Sequence, residues 1–202
     1  SSAAFPSAAA LIIPDSEIKI KNVCLNDLRT GFYESIREMG GFIKFINQKN
    51  LSGEVVGDIQ VKYSKLTGIT VPEKRVPSMI DEFPIFCIVA CFAEGETVMT
   101  GIEDLRNKES DRIKEIVENL KKFGFSVKSS TNSISIVGNK GINPKKEILI
   151  DSKFDHRIAM SFLCLGLFME NGVKVKNAET INSSFPSFYN IMKSLGANLK
   201  KY

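Results

Sequence analysis

The spacing of apolar and polar positions repeats three times along this chain. Each time an apolar run long enough for a buried helix gives way to a short polar turn, then to residues that alternate in and out. The first copy places the apolar run at residues 8–13, the turn at Pro14, Asp15 and Ser16, and the alternation at 17–23. The second places them at 85–92, at Glu94 and Gly95, and at 96–102. The third places them at 160–168, at Glu170, Asn171 and Gly172, and at 173–178. The pattern predicts a buried helix followed by a strand in every copy.

Each strand leads into an amphipathic helix, over residues 30–39, 110–123 and about 185–195. Each helix ends at a glycine, Gly40, Gly124 or Gly196. A glycine just past a helix takes the left-handed cap position without a Cβ clash. Strands are expected next at 42–45, 125–128 and 197–200, then second strands at 58–63 and 133–137. Leading strands are expected at 67–71 and 147–150. The repeat reads β-α-β-α-β-β, in units of approximately 1–65, 66–140 and 145–202. The first unit lacks a leading strand and the third lacks its last one. A sheet without a neighbour leaves an open edge, so sequence before Ser1 is expected to close the domain.

The apolar runs have no wet face, whereas the second helices keep one through Glu34, Arg37, Asp111, Lys114, Glu115, Glu118 and Lys193. The fold class is therefore α/β with central helices enclosed by sheets, an inside-out arrangement. An ordinary two-layer α/β domain is the alternative.

Composition narrows the classes. The chain has 202 residues, of which 43% are hydrophobic, enough for a sizeable core. Its 27 basic and 23 acidic residues are interspersed and leave a net charge of +4. No basic stripe interleaved with aromatics marks a nucleic-acid surface. The longest apolar stretch, residues 83–93, falls far short of a bilayer span. The four cysteines, Cys24, Cys87, Cys91 and Cys164, form no CxxC pair and read as reduced core residues of a cytoplasmic protein. The Gly40–Gly41 pair ends a helix and is not a phosphate loop.

Three segments carry candidate chemistry, all at helix starts. Residues 101–112 bring Lys108, Glu109 and Arg112 to the start of the second amphipathic helix, capped by Ser110 or Asn107. If that helix covers them, Lys108 and Arg112 share a face. Cations beside free helix N–H groups suit a multiply charged anion; a solvated charge run is the alternative. Residues 154–160 hold the single histidine, His156, as a cap or supporting group, and Arg157, whose guanidinium fork fits phosphate or carboxylate. One histidine gives no metal cluster. Residues 77–84 hold Asp81, which has an N-cap reading, with Pro84 in the first turn. Packing of the units about a common axis would bring Asp81, the segment from Lys108 to Arg112, and Arg157 onto one face and into one cleft.

With these residues the sequence resembles the 5-enolpyruvylshikimate-3-phosphate synthase family. The stretches that carry the likeness are Ser1-Ser2-Ala3-Ala4-Phe5, Asn-Asp-Leu-Arg-Thr-Gly at 26–31, Ser78-Met79-Ile80-Asp81-Glu82, Lys108-Glu109-Ser110-Asp111-Arg112, Asp155-His156-Arg157-Ile158-Ala159-Met160, and Ser184-Phe185-Pro186. They cover nearly the whole chain, and look most like the bacterial subgroup that includes glyphosate-tolerant members. The resemblance implies a two-lobed enzyme, with three β-α-β-α-β-β units per lobe and the site in the cleft. This chain then corresponds to residues 1–202 of an incomplete C-terminal lobe. The family transfers the enolpyruvyl group of phosphoenolpyruvate to the 5-hydroxyl of shikimate 3-phosphate, without an organic cofactor or metal. The absent N-terminal lobe is the implied partner, in a full-length monomer; the chain alone is expected to be inactive.

By the same resemblance, Asp81 is the proton acceptor for the hydroxyl and Glu109 the group acting at the methylene carbon. Lys108 lies near shikimate 3-phosphate, Arg112 and Arg157 grip phosphoenolpyruvate, and His156 supports that wall. Ser1 and Ser2 offer hydroxyls for substrate, or plain helix capping. Asp104 and Ser183 stand where some members carry an asparagine and a lysine contact, so neither is carried over. Two alternatives stay open: a UDP-N-acetylglucosamine enolpyruvyl transferase, and a non-catalytic remnant or scaffold domain.

Overall fold

A computed structural model describes residues 1–201. The chain opens with helix α1 (Ala4–Ile12), strand β1 (Glu17–Cys24), helix α2 (Gly31–Glu38) and strands β2 (Phe42–Leu51) and β3 (Glu54–Lys62). These strands form an antiparallel sheet in the order β1-β3-β2. The chain continues through β4 (Thr70–Val71), α3 (Phe83–Ala90), β5 (Glu96–Thr100), α4 (Arg112–Phe123), β6 (Ser126–Ser129) and β7 (Ser133–Val137). Their sheet runs β4-β5-β7-β6, with β4 parallel to β5 and the other pairs antiparallel. Last come β8 (Ile148–Asp151), α5 (His156–Gly166), β9 (Val173–Lys176), α6 (Ile181–Ser184) and α7 (Phe188–Ser194), with β8 and β9 parallel.

Helices α1, α3 and α5 pack on one another at the centre. Every residue of α1 and of α3 is buried, as is most of α5. A helix apolar on all sides is stable only when it has neighbours on all sides. The two-layer alternative leaves one face wet and is set aside. Helix α4 shows the contrasting pattern. Ile113, Ile116, Leu120 and Phe123 face inward while Lys114, Glu118 and Lys121 face solvent. Asp111 caps it by accepting from the Lys114 N–H at 3.0 Å, and Gly124 closes it with φ +94°.

Several expectations are corrected. Strands β2 and β3 run beyond residues 42–45 and 58–63, joined at Ser52 and Gly53, whose φ values of +53° and +87° make a two-residue hairpin turn. Polar residues such as Gln48, Lys49 and Asn50 hide that extension from a hydrophobic pattern. Residues 197–200 form no strand, because no neighbouring strand among the described residues takes up their backbone groups. The helix expected at 185–195 begins at Phe188, because Pro186 separates it from α6. Cys87, Cys91 and Cys164 are buried as core residues, but Cys24 is exposed, because it ends β1, whose residues are otherwise half-buried or exposed; all four thiols are free.

Candidate active site

The starts of α3, α4 and α5 open on one face of the lobe. Asp81 lies in the turn before α3. The Arg112 guanidinium comes from the first residue of α4, and Arg157 from the second residue of α5. The Asp81 carboxylate sits between them, with Oδ1 3.5 Å from Arg112 Nη1 and Oδ2 3.4 Å from Arg157 Nη2. Arg157 Nη1 also donates to the Asp81 carbonyl at 3.0 Å. Three segments far apart in sequence thus meet as the shared face requires.

Arg112 is completely buried. Its Nε donates to Asp155 Oδ2 at 2.8 Å and its Nη2 to Glu109 Oε2. Nη1 has no hydrogen-bond partner among the described residues. Asp155 is also completely buried and caps α5, accepting from the N–H groups of Arg157 at 2.8 Å and Ile158 at 3.3 Å. Burial pushes the Asp155 carboxyl up. The Arg112 hydrogen bond and charge, with those two N–H groups, more than offset this and hold it below the usual carboxylate range.

Glu109 is half-exposed at the rim, with His156 Nδ1 4.0 Å from its Oε1. Burial, and then the Arg157 charge, lower the His156 pKa and favour its neutral ring. Burial also draws the Arg157 pKa down, with Asp81 the largest counterweight and Glu82 the next. Lys108 is exposed on extended backbone and has no ion pair among the described residues. Ser1 Oγ donates to Glu82 Oε1 and accepts from Arg29 Nη2 at 2.7 Å. Ser2 is exposed and makes no side-chain hydrogen bond among the described residues.

The caps differ from the sequence reading. Helix α4 starts at Arg112 under Asp111, not under Ser110 or Asn107, so Lys108 lies outside it and shares no helical face with Arg112. Glu82, not Asp81, occupies the N-cap position of α3, which frees the Asp81 side chain for the cleft. Asp155, not His156, caps α5. Neither Ser1 nor Ser2 caps α1, whose N-cap position is Ala3. The motif reading also passed over Arg29, Glu82 and Asp155. Arg29 Nη2 lies 3.5 Å from Asp81 Oδ2. Asp155 had a visible signal, an acidic residue directly before an apolar helix. Arg29 and Glu82 had no local signal beyond the quoted stretches that contain them.

A groove of about 570 Å³ runs along α1, α5 and β9 past Leu163, Leu167 and Met192, away from the charged cluster. The cluster is marked instead by its convergent guanidinium groups, which can handle an anion. No group of three His, Cys, Asp or Glu side chains among the described residues is arranged to hold a metal ion. No helix among them is long and apolar enough to cross a membrane.

Central helices enclosed by sheets, with ionic helix starts on one face, make an inside-out α/β lobe. The enolpyruvyl transferase NikO from Streptomyces tendae shares the fold, with a TM-score of 0.74 over 98% of this chain and 43% of that one, at 13% identity. The chain belongs to the family of EPSP synthase (3-phosphoshikimate 1-carboxyvinyltransferase), whose family model matches residues 1–192. A 3-phosphoshikimate 1-carboxyvinyltransferase from Rhizobium johnstonii is 46% identical over 99% of this chain, and one from Persephonella marina is 47% identical over 98%. The chain spans 45% of the length of either relative. The solved EPSP synthase from Acinetobacter baumannii superposes with a TM-score of 0.93, at 35% identity, over all of this chain and 46% of that one.

Proposed function

We propose that this chain forms one wall of the active site of a 3-phosphoshikimate 1-carboxyvinyltransferase. The reaction joins the enolpyruvyl group of phosphoenolpyruvate to the 5-hydroxyl of shikimate 3-phosphate and releases phosphate. The observation that carries the reading is the meeting of Asp81 with Arg112 and Arg157 at three helix starts. The other lobe, outside this chain, completes the site and supplies most contacts to shikimate 3-phosphate.

An alcohol is too weak an acid for a carboxylate to deprotonate in advance, so Asp81 accepts the hydroxyl proton as the C–O bond forms. Glu109 delivers a proton to the methylene carbon, which makes the adjacent carbon electrophilic. The resulting tetrahedral intermediate then gives a methyl proton back to Glu109 as its C–O bond to phosphate breaks, restoring the double bond, and the departing phosphate takes the proton held by Asp81. Arg112 and Arg157 balance the substrate's carboxylate and phosphate charge, and Arg112 Nη1, which lies 3.5 Å from Asp81 Oδ1 but makes no hydrogen bond among the described residues, is a donor available to such an anion. Lys108, exposed and unpaired, serves shikimate 3-phosphate. His156 supports the wall as a neutral ring. Closure of the lobes excludes water and strengthens each of these interactions.

The test is reconstitution of the chain with the rest of its protein, followed by an assay of phosphate release. The chain alone is expected to show negligible turnover, and Asp81→Ala and Glu109→Gln to abolish most of the reconstituted activity. Full activity in both variants overturns the residue roles. Turnover by the isolated chain overturns the need for the second lobe. Tight UDP-sugar binding by the intact protein favours the UDP-N-acetylglucosamine enolpyruvyl transferase instead.

A further inference from the structure

Glu82 is a buried carboxylate without an obvious structural purpose. Its side chain makes no capping bond to α3, and its Oε2 has no hydrogen-bond partner among the described residues. Burying a charge in this way is costly, and an apolar side chain would fill the space more cheaply. The other oxygen, Oε1, accepts from Ser1 Oγ and lies 3.9 Å from both Arg29 Nη2 and Arg157 Nη1. The same two guanidinium groups reach Asp81 Oδ2, at 3.5 and 3.4 Å. Two neighbouring carboxylates therefore share two arginines, each of which pairs with Asp81 at 3.4–3.5 Å without a side-chain hydrogen bond to it, and with Glu82 at 3.9 Å.

We propose that Glu82 is a positioning residue whose charge holds Arg29 and Arg157 between two carboxylates. Remove that charge and both guanidinium groups shorten their existing pairs with Asp81 into hydrogen bonds, which cover its oxygens and draw the arginines out of the cleft. Arg29, half-exposed, becomes a third guanidinium available to an anionic substrate. The order of influences on Arg157, with Glu82 second only to Asp81 among the stabilising charges, fits this division. The inference rests on the transferase reading above.

The experiment uses the full-length protein and its Glu82→Gln variant, with thermal midpoints and separate KM values for both substrates. The expected result is a rise of about tenfold in KM for phosphoenolpyruvate, the scale of one lost charge-assisted hydrogen bond. KM for shikimate 3-phosphate stays within about twofold, and the thermal midpoint is unchanged or higher, as removing an under-satisfied buried charge allows. If Glu82→Gln does not fold, Glu82→Met, of similar volume and without a polar group to bury, is expected to show the same split. A lower midpoint with both KM values unchanged shows a purely structural role and overturns the proposal. An active wild type with an unaltered variant sinks this inference alone. An inactive wild type overturns it together with the transferase reading.

Discussion

Arg112 and Asp155 meet across the starts of α4 and α5, with Arg112 Nε 2.8 Å from Asp155 Oδ2 and both side chains buried. One carboxylate thereby caps α5 and locks the guanidinium beside Asp81. Removing one partner of a buried pair leaves the other charge uncompensated. Asp155→Ala is expected to cost about 3–5 kcal/mol, read as a lower urea midpoint. A loss well below that range would mean that water takes over the role of Asp155.

His156 supplies a direct pH test, because it is the only histidine. Burial and Arg157 lower its pKa from 6.5, against the weaker opposing pull of Asp155 and Glu109, with Arg112 acting in the same direction as Arg157. Its imidazole proton resonance is expected to titrate below pH 6.5 in the folded chain and near it in urea. Between those two values the unfolded chain binds more protons. Stability from this group is thus present above the unfolded pKa and lost as pH falls toward the folded one. Asp155 acts in the same direction further down, below its ordinary value of 3.8. Acid should weaken the fold in two stages.

Asp81→Asn removes the proposed proton acceptor while keeping the shape of the side chain. In the reconstituted enzyme kcat is expected to fall roughly 10²–10⁴-fold, the range for a lost general base. Circular dichroism of the variant should match the parent, because Asp81 is neither a cap nor a core residue. A kcat within about threefold of the parent would assign the proton to another group.

Gly138 tests the close approach between the end of β7 and the turn after α3. A Cβ there would lie 1.9 Å from the Ala93 carbonyl oxygen and 2.8 Å from that of Ala90. Backbone atoms cannot step aside as a flexible side chain can. Gly138→Ala is expected to destabilise by about 1–3 kcal/mol or more, measured by chemical denaturation. A neutral result would mean that the turn relaxes without cost.

Much of this architecture was legible before any coordinates. Period-two and apolar-run patterns located all three central helices and the strands after them, because those elements bury one face or every face. The outer hairpin of β2 and β3 was only partly legible, since its polar arms are held by backbone bonds and not by burial. Caps were the least legible. Ser110, Asp111 and Asn107 are all chemically competent to cap α4, and only the packed geometry selects Asp111.

The sequence by itself determined which segments become buried helices, and it marked Asp81, Glu109, Arg112 and Arg157 as chemically notable. Local pattern suffices there, because burial and helix starts impose residue types over a few positions. Tertiary structure alone decided that Arg29 and Glu82 join the same cluster, and that Lys108 stands clear of α4. Distances between charges from distant segments depend on how helices pack, and no spacing along the chain encodes them.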